Sequence, residues 1–178
     1  MHPTRFLPAL LAFFASTASA ATSPAQQAFD DLARLQGQWE STSGSRHTVD
    51  FRLIANGTAL VETWTMSPTR TSMTVYAVDG ARLISTHYCP QGNQPRLVLT
   101  EKDAEGRYRF RFLDGTNLHD PAGSHQHLLW IDVDSADSFS RSETYVGNDE
   151  RPGESAAEEG EVVSYRRIAP TATVTGRE

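Results

Sequence analysis

Hydrophobic positions recur at two periods along this chain, and the change falls at Gly37. Before it, Ala25, Ala28, Phe29, Leu32 and Leu35 share one helical face, with Asp30 and Asp31 on the other. The spacing predicts one amphipathic helix over 24–35, with Pro24 early and Gly37 past its end. After Gly37 the period becomes two. Ten strand-like runs follow, at 38–42, 47–54, 59–66, 72–78, 82–89, 94–102, 108–113, 125–133, 138–146 and 161–168. Turn signals separate them, among them Asn56-Gly57, Asp79-Gly80, the segment from Pro90 to Pro95, Glu105-Gly106 and Asp114-Gly115.

Short strands joined by tight turns predict an antiparallel meander, because parallel pairing needs crossover helices and there is no room for them. A meander this long must split into two sheets or close on itself. Closure removes exposed strand edges. The expected fold is therefore all-β, an antiparallel up-and-down barrel of about ten strands, with the N-terminal helix plugging one end.

Alternation assigns faces to several strands. Tyr108, Phe110 and Phe112 alternate with Arg107, Arg109 and Arg111, which puts the aromatic residues inside. Val49, Phe51 and Leu53 alternate with Asp50 and Arg52 in the same way. Leu60, Trp64 and Met66 share a face with Glu62. Either that face is interior and Glu62 needs a buried partner, or Val61, Thr63 and Thr65 point inward and Glu62 meets water.

The first twenty residues stand apart from this pattern. Arg5, an apolar run from Phe6 to Ala15 and the Ala18-Ser19-Ala20 triplet read as a signal peptide cleaved after Ala20. The expected product is exported, periplasmic or secreted, with one domain over 21–169 and a disordered tail over 170–178. Losing Arg5 leaves fifteen basic against twenty-two acidic residues, a net charge of −7. That balance argues against nucleic acid and anionic membrane surfaces as partners. The mature chain has no apolar run long enough for a membrane-spanning helix. A single cysteine, Cys89, excludes an intrachain disulfide, so packing must supply the stability.

A helix, then Gly37-Gln38-Trp39 opening the first strand, then a meander ending in Arg166-Arg167, resembles the calycin superfamily of lipocalins, fatty-acid-binding proteins and nitrobindin-like barrels. The resemblance implies that Trp39 packs at the closed end under Arg166 or Arg167. The wording Thr86-His87-Tyr88-Cys89 and Gly92-Asn93-Gln94-Pro95-Arg96 is similar to that of bacterial lipocalin-like domains. The haem-binding barrels of the superfamily extend the opening motif with glycines and take a histidine near the C-terminus. Here Glu40-Ser41-Thr42 follows Trp39 and no histidine follows His127, so no haem is expected.

Three groups of residues could carry chemistry. His125-x-His127 places two imidazoles on one strand face; with His87, His119 and Asp120 they could hold a divalent metal, or simply bond to one another at the barrel mouth. His87 and Cys89 lie two apart on another strand, either as an activated thiol or as a buried thiol beside a bonded imidazole. Asn93 and Arg96 sit in a turn where Arg96 could grip a ligand carboxylate or pair with an acid such as Asp120.

The leading expectation is a small apolar or amphiphilic ligand held in the barrel, touched by His87, Tyr88, Cys89, Asn93, Arg96, Trp64, Glu62, Tyr108 and Phe110, with no resident cofactor. Two others stand beside it. One is an enzyme using a metal or the His87–Cys89 pair. The other is a barrel filled by its own aromatic residues, with a structural or partner-binding role.

Overall fold

A computed structural model of the chain describes residues 21–44, 46–118, 123–147 and 160–169. The expected leader, the tail, and the sequence-stretches around His119 and Asp120 and over 148–159 lie outside the described residues. The helix α1 is Pro24–Ala33, with Pro24 in its first turn and the Ser23 hydroxyl accepting from the Gln26 amide at 3.2 Å. Ten strands follow: β1 (Gly37–Ser41), β2 (Thr48–Ile54), β3 (Ala59–Ser67), β4 (Arg70–Asp79), β5 (Arg82–Tyr88), β6 (Gln94–Lys102), β7 (Tyr108–Thr116), β8 (His125–Asp132), β9 (Ser138–Val146) and β10 (Val162–Arg167).

Each strand pairs antiparallel with its neighbours in sequence, and β1 pairs with β10 to close the ring. The fold is an up-and-down barrel of ten strands with one helix, as the periodicity predicts. The sheet bends at four irregularities of register, two in β6 opposite β7, one in β8 opposite β9 and one in β3 opposite β4. The first lets β7 continue through Gly115, which the turn signal alone would have ended.

Helix α1 lies over one end of the barrel, beside the turns that join β4 to β5 and β6 to β7. That end is solid. Leu32, Leu35, Trp39, Phe51, Leu60, Leu83 and Phe139 are each no more than 1 % exposed. Phe139 meets Trp39 edge-on at 4.9 Å and Phe51 edge-on at 5.6 Å, and it stacks on Tyr165 at 4.3 Å. Burying each such side chain stabilises by roughly 1.5–3 kcal/mol.

A basic lid covers this end. Arg167 lies over the Trp39 ring at 4.1 Å and donates to the carbonyls of Gln36 at 2.7 Å, Arg34 at 3.2 Å and Ala136 at 2.7 Å. The Trp39 indole donates to the Leu35 carbonyl at 2.7 Å. One side chain thus caps the C-terminal turn of α1 and seals the tryptophan beneath it. Gly37 makes this approach possible: its φ is +125°, and a Cβ there would lie 2.8 Å from the Arg167 guanidinium. Arg166 instead pairs with Glu40 outside the barrel.

Candidate functional site

The apolar filling stops halfway along the barrel. From there to the open end the interior is polar. Glu62 on β3 points inward at 1 % exposure, so the interior-face reading of that strand is the correct one. Its partner is Arg141 on β9, 5 % exposed, whose Nη1 donates to Glu62 Oε1 and whose Nη2 pairs with Glu143 Oε1. The Tyr76 hydroxyl donates to Glu62 Oε2 at 2.7 Å.

The network continues toward the mouth. The Tyr145 hydroxyl donates to Glu143 Oε2 at 3.1 Å and lies 3.5 Å from His87 Nε2. His87 Nδ1 lies 2.9 Å from the Thr74 hydroxyl. A neutral imidazole with its proton on Nε2 satisfies every member. Thr74 donates to Nδ1, Nε2–H points to the Tyr145 oxygen, and the Tyr145 proton goes to Glu143. Burial supports that state by pushing His87 down from its ordinary 6.5 to about 4. Tyr145 is 37 % exposed as a residue, but desolvation of its inward-pointing hydroxyl raises its pKa above the ordinary value, with the Cys89 thiol adding to the rise and Arg141 opposing it. Tyr76 is raised in the same direction, first by burial and then by Tyr165.

Above this network is a chamber of about 380 Å³, lined by Trp64, Arg70, Ser72, His87, Cys89, Pro90, Gln91, Glu143 and Tyr145. Trp64, Glu143 and Tyr145 also line an adjoining recess of about 270 Å³ that reaches His47, Arg141, Glu161 and Tyr165. His47 Nε2 is 2.7 Å from the Tyr165 hydroxyl, and its ring lies 5.1 Å from that of Trp64. The mouth is therefore walled by aromatic rings and floored by an ionic cluster.

The structure gathers only some of the residues the sequence singles out. Trp64, His87 and Cys89 line the chamber and Glu62 lies below it. Both nitrogens of His87 are bonded, to Thr74 and Tyr145, so neither is a hydrogen-bond partner of the Cys89 thiol. Tyr88 faces outward at 45 % exposure. Arg96 is also on the outer surface, where both sides of its guanidinium pair with Asp114. Asn93 is buried and donates to the Ser124 carbonyl at 2.7 Å, tying the β5–β6 turn to the approach of β8.

Tyr108 and Phe110 belong to the filled half. Phe110 packs edge-on against Tyr76 at 5.9 Å. Tyr108 donates to Asp31 and accepts from Lys102 at 2.8 Å, which pins the barrel to α1.

His125 and His127 form a separate cluster. His127 Nδ1 is 3.3 Å from His125 Nε2, His125 Nδ1 is 2.6 Å from the Gly123 carbonyl, and both rings pack on Phe112 at 4.1 and 5.8 Å. Burial lowers the pKa of His127, with His125 and Arg111 adding to the effect. The two histidines do not bond to His87 or to any residue that bonds to it. His119 and Asp120 lie outside the described residues. Among the described residues, no three His, Cys, Asp or Glu side chains converge on a position that could hold a metal ion.

Arg141, Glu143 and Tyr145 are the residues that the sequence reading missed. A signal was present: on β9 they share alternation with Phe139, opposite a face of small polar residues, Ser138, Ser140, Ser142 and Thr144. No protein-family model matches the chain, and no curated protein matches its sequence. The architecture is compatible with a lipocalin-like fold.

Proposed function

We propose that this protein is an exported, calycin-like barrel that holds a small amphiphilic molecule at its open end. The observation that carries the reading is the half-filled interior. Aromatic and aliphatic side chains close the helix end completely, while about 380 Å³ stays open at the mouth beside Trp64, His87 and Tyr145. Concave sites with apolar walls and a few fixed polar groups are where small ligands bind. The filled half limits the ligand's length, so a long acyl chain running down the barrel axis does not fit. Trp39 under Arg167 supports the calycin resemblance, because it reproduces the closed-end packing that the resemblance implies. The Arg5-to-Ala20 pattern supports export.

Native mass spectrometry of the untagged full-length product, recovered from the exporting cell, tests the reading. A small-molecule adduct that is lost on Trp64→Ala is the expected result. Protein that carries no adduct and takes up nothing from a library of small amphiphiles overturns it. N-terminal sequencing of the same sample should begin at Ala21, and a product in the cytosolic fraction still starting at Met1 overturns the export assignment.

A further inference from the structure

We propose that the chamber at the open end selects a small organic cation, with Glu143 as its counter-ion and the rings of Trp64 and Tyr145 as its walls. The inference rests on the ligand-binding reading above and adds the ligand's charge.

The charge balance of the floor is the starting point. One guanidinium, Arg141, is shared by two carboxylates, Glu62 and Glu143. Each carboxylate also receives a tyrosine hydroxyl, Glu62 from Tyr76 and Glu143 from Tyr145. Donors aimed at a carboxylate favour its ionised form. The cluster therefore sets two carboxylates against one guanidinium. The neighbouring imidazole does not make up the difference, because burial keeps His87 neutral down to about pH 4.

Surplus charge in a partly dry site needs a counter-charge. Of the two carboxylates, Glu62 is sealed in, whereas the Glu143 side chain is 26 % exposed and lines both the chamber and the recess. Glu161 also lines the recess, but it is exposed and its charge is screened by solvent and salt. The walls match such a ligand, since the negative face of an indole or phenol ring attracts a cation that has shed its water. One group opposes it: Arg70 lines the chamber's outer lip, but it is exposed, and solvent and salt screen its charge. The arginine that might have drawn an acidic ligand, Arg96, is outside and engaged with Asp114.

The test is calorimetric titration of the full-length protein with choline and, separately, with its neutral carbon isostere 3,3-dimethylbutan-1-ol. The two probes share shape and hydroxyl and differ in charge. Choline should bind at least about tenfold more tightly, in line with a desolvated cation–ring contact. Glu143→Gln should bring choline down to the affinity of the alcohol, with far-ultraviolet circular dichroism and a thermal melt showing that the variant is folded. Independently of any variant, the methyl protons of bound choline should shift upfield under the Trp64 ring current, and Trp64→Leu should abolish that shift. If the alcohol binds as well as choline or better, the charge assignment is overturned and the chamber remains a ligand site. If neither probe binds, both the cation assignment and the chamber's role as a small-molecule site are overturned.

Discussion

Arg141 on β9 and Glu62 on β3 form an ion pair across the barrel interior, 79 residues apart in sequence and closed off from solvent. Removing Arg141 leaves Glu62 buried without a counter-charge, whereas removing Glu62 leaves Arg141 paired with Glu143. Arg141→Met should lower the unfolding free energy by about 3–5 kcal/mol, the range for breaking a buried pair from one side. Pairing it with Glu62→Gln should recover part of the loss, because one orphaned charge disappears. A double-mutant cycle from urea titrations gives the coupling directly. Strict additivity of the two losses would show that the side chains do not interact.

The protonation of His87 sets a second expectation. The unfolded chain binds this proton near pH 6.5, and the folded chain binds it only near pH 4. Between those values the unfolded state holds more protons, so stability rises with pH across that window. It is lost as pH falls from about 6.5 toward 4 and does not change through this group above that range. The 3 % exposure of His87 makes the whole shift count, at about 3 kcal/mol or less by linkage. His87→Gln keeps a donor for Tyr145 and cannot titrate. Urea midpoints from pH 4.5 to 7 should slope for the wild type and flatten in the variant by that amount. Parallel curves would refute a buried neutral imidazole.

The closed end offers a backbone test. Gly37→Ala forces a side chain into a left-handed conformation, 2.8 Å from the Arg167 guanidinium that seals Trp39. A cost of about 1–3 kcal/mol is expected from strain alone. For a domain of this size that corresponds to a fall in Tm of roughly 2–4 °C per kcal/mol. Calorimetric melts of Gly37→Ala and Arg167→Ala should both show it. The double variant should lose less than the sum, since the two changes damage the same seal.

Stronger acid should act on the β6–β7 turn, below the range in which His87 titrates. Burial raises the Asp103 pKa, but the Arg107 amide at 2.9 Å, Arg109 Nε at 2.6 Å and Arg107 Nε at 2.9 Å outweigh it and hold the carboxyl down at about 2. A depressed folded pKa means that the stabilisation is complete above the ordinary value near 3.8 and is lost as pH falls through about 2. Asp103→Asn should therefore melt earlier than wild type at pH 7, and the gap should close by pH 2. A gap unchanged at pH 2 would assign the loss to packing rather than to charge.

Strand count and topology were readable from this sequence because period-two alternation and turn residues are local signals. The helix, too, carried its own cap, Ser23 ahead of Pro24. The floor of the site was not legible in the same way. Glu62 is recognisably a problem on an apolar face, but its partner sits on a strand that is not its neighbour, and no local pattern reports a contact across a lumen. Arg96 shows the converse. Pro95 and Leu97 are buried beside it, yet the irregular register between β6 and β7 lets Arg96 lie opposite Asp114 on the outside. A face count from Leu97 places it there, whereas its chemistry alone suggests a grip on a ligand carboxylate. The two histidine groups look like one cluster in sequence because both sit at strand ends. Three strands' worth of curvature separates β5 from β8.

The pairing of β1 with β10 has a consequence for how the molecule is made. Glu40 and Arg166 meet across the seam although 126 residues separate them. The first strand to be synthesised must wait for the last before its outer hydrogen bonds exist. Contacts this distant fold slowly, because the chain's loop entropy is lost before the seam repays it. The hairpins between can form as they emerge, but the aromatic plug of Trp39, Phe139 and Tyr165 draws on β1, β9 and β10 together. The seam and the plug therefore wait for the last strand, and the ionic floor, which joins β3 to β9, cannot close before β9 is made.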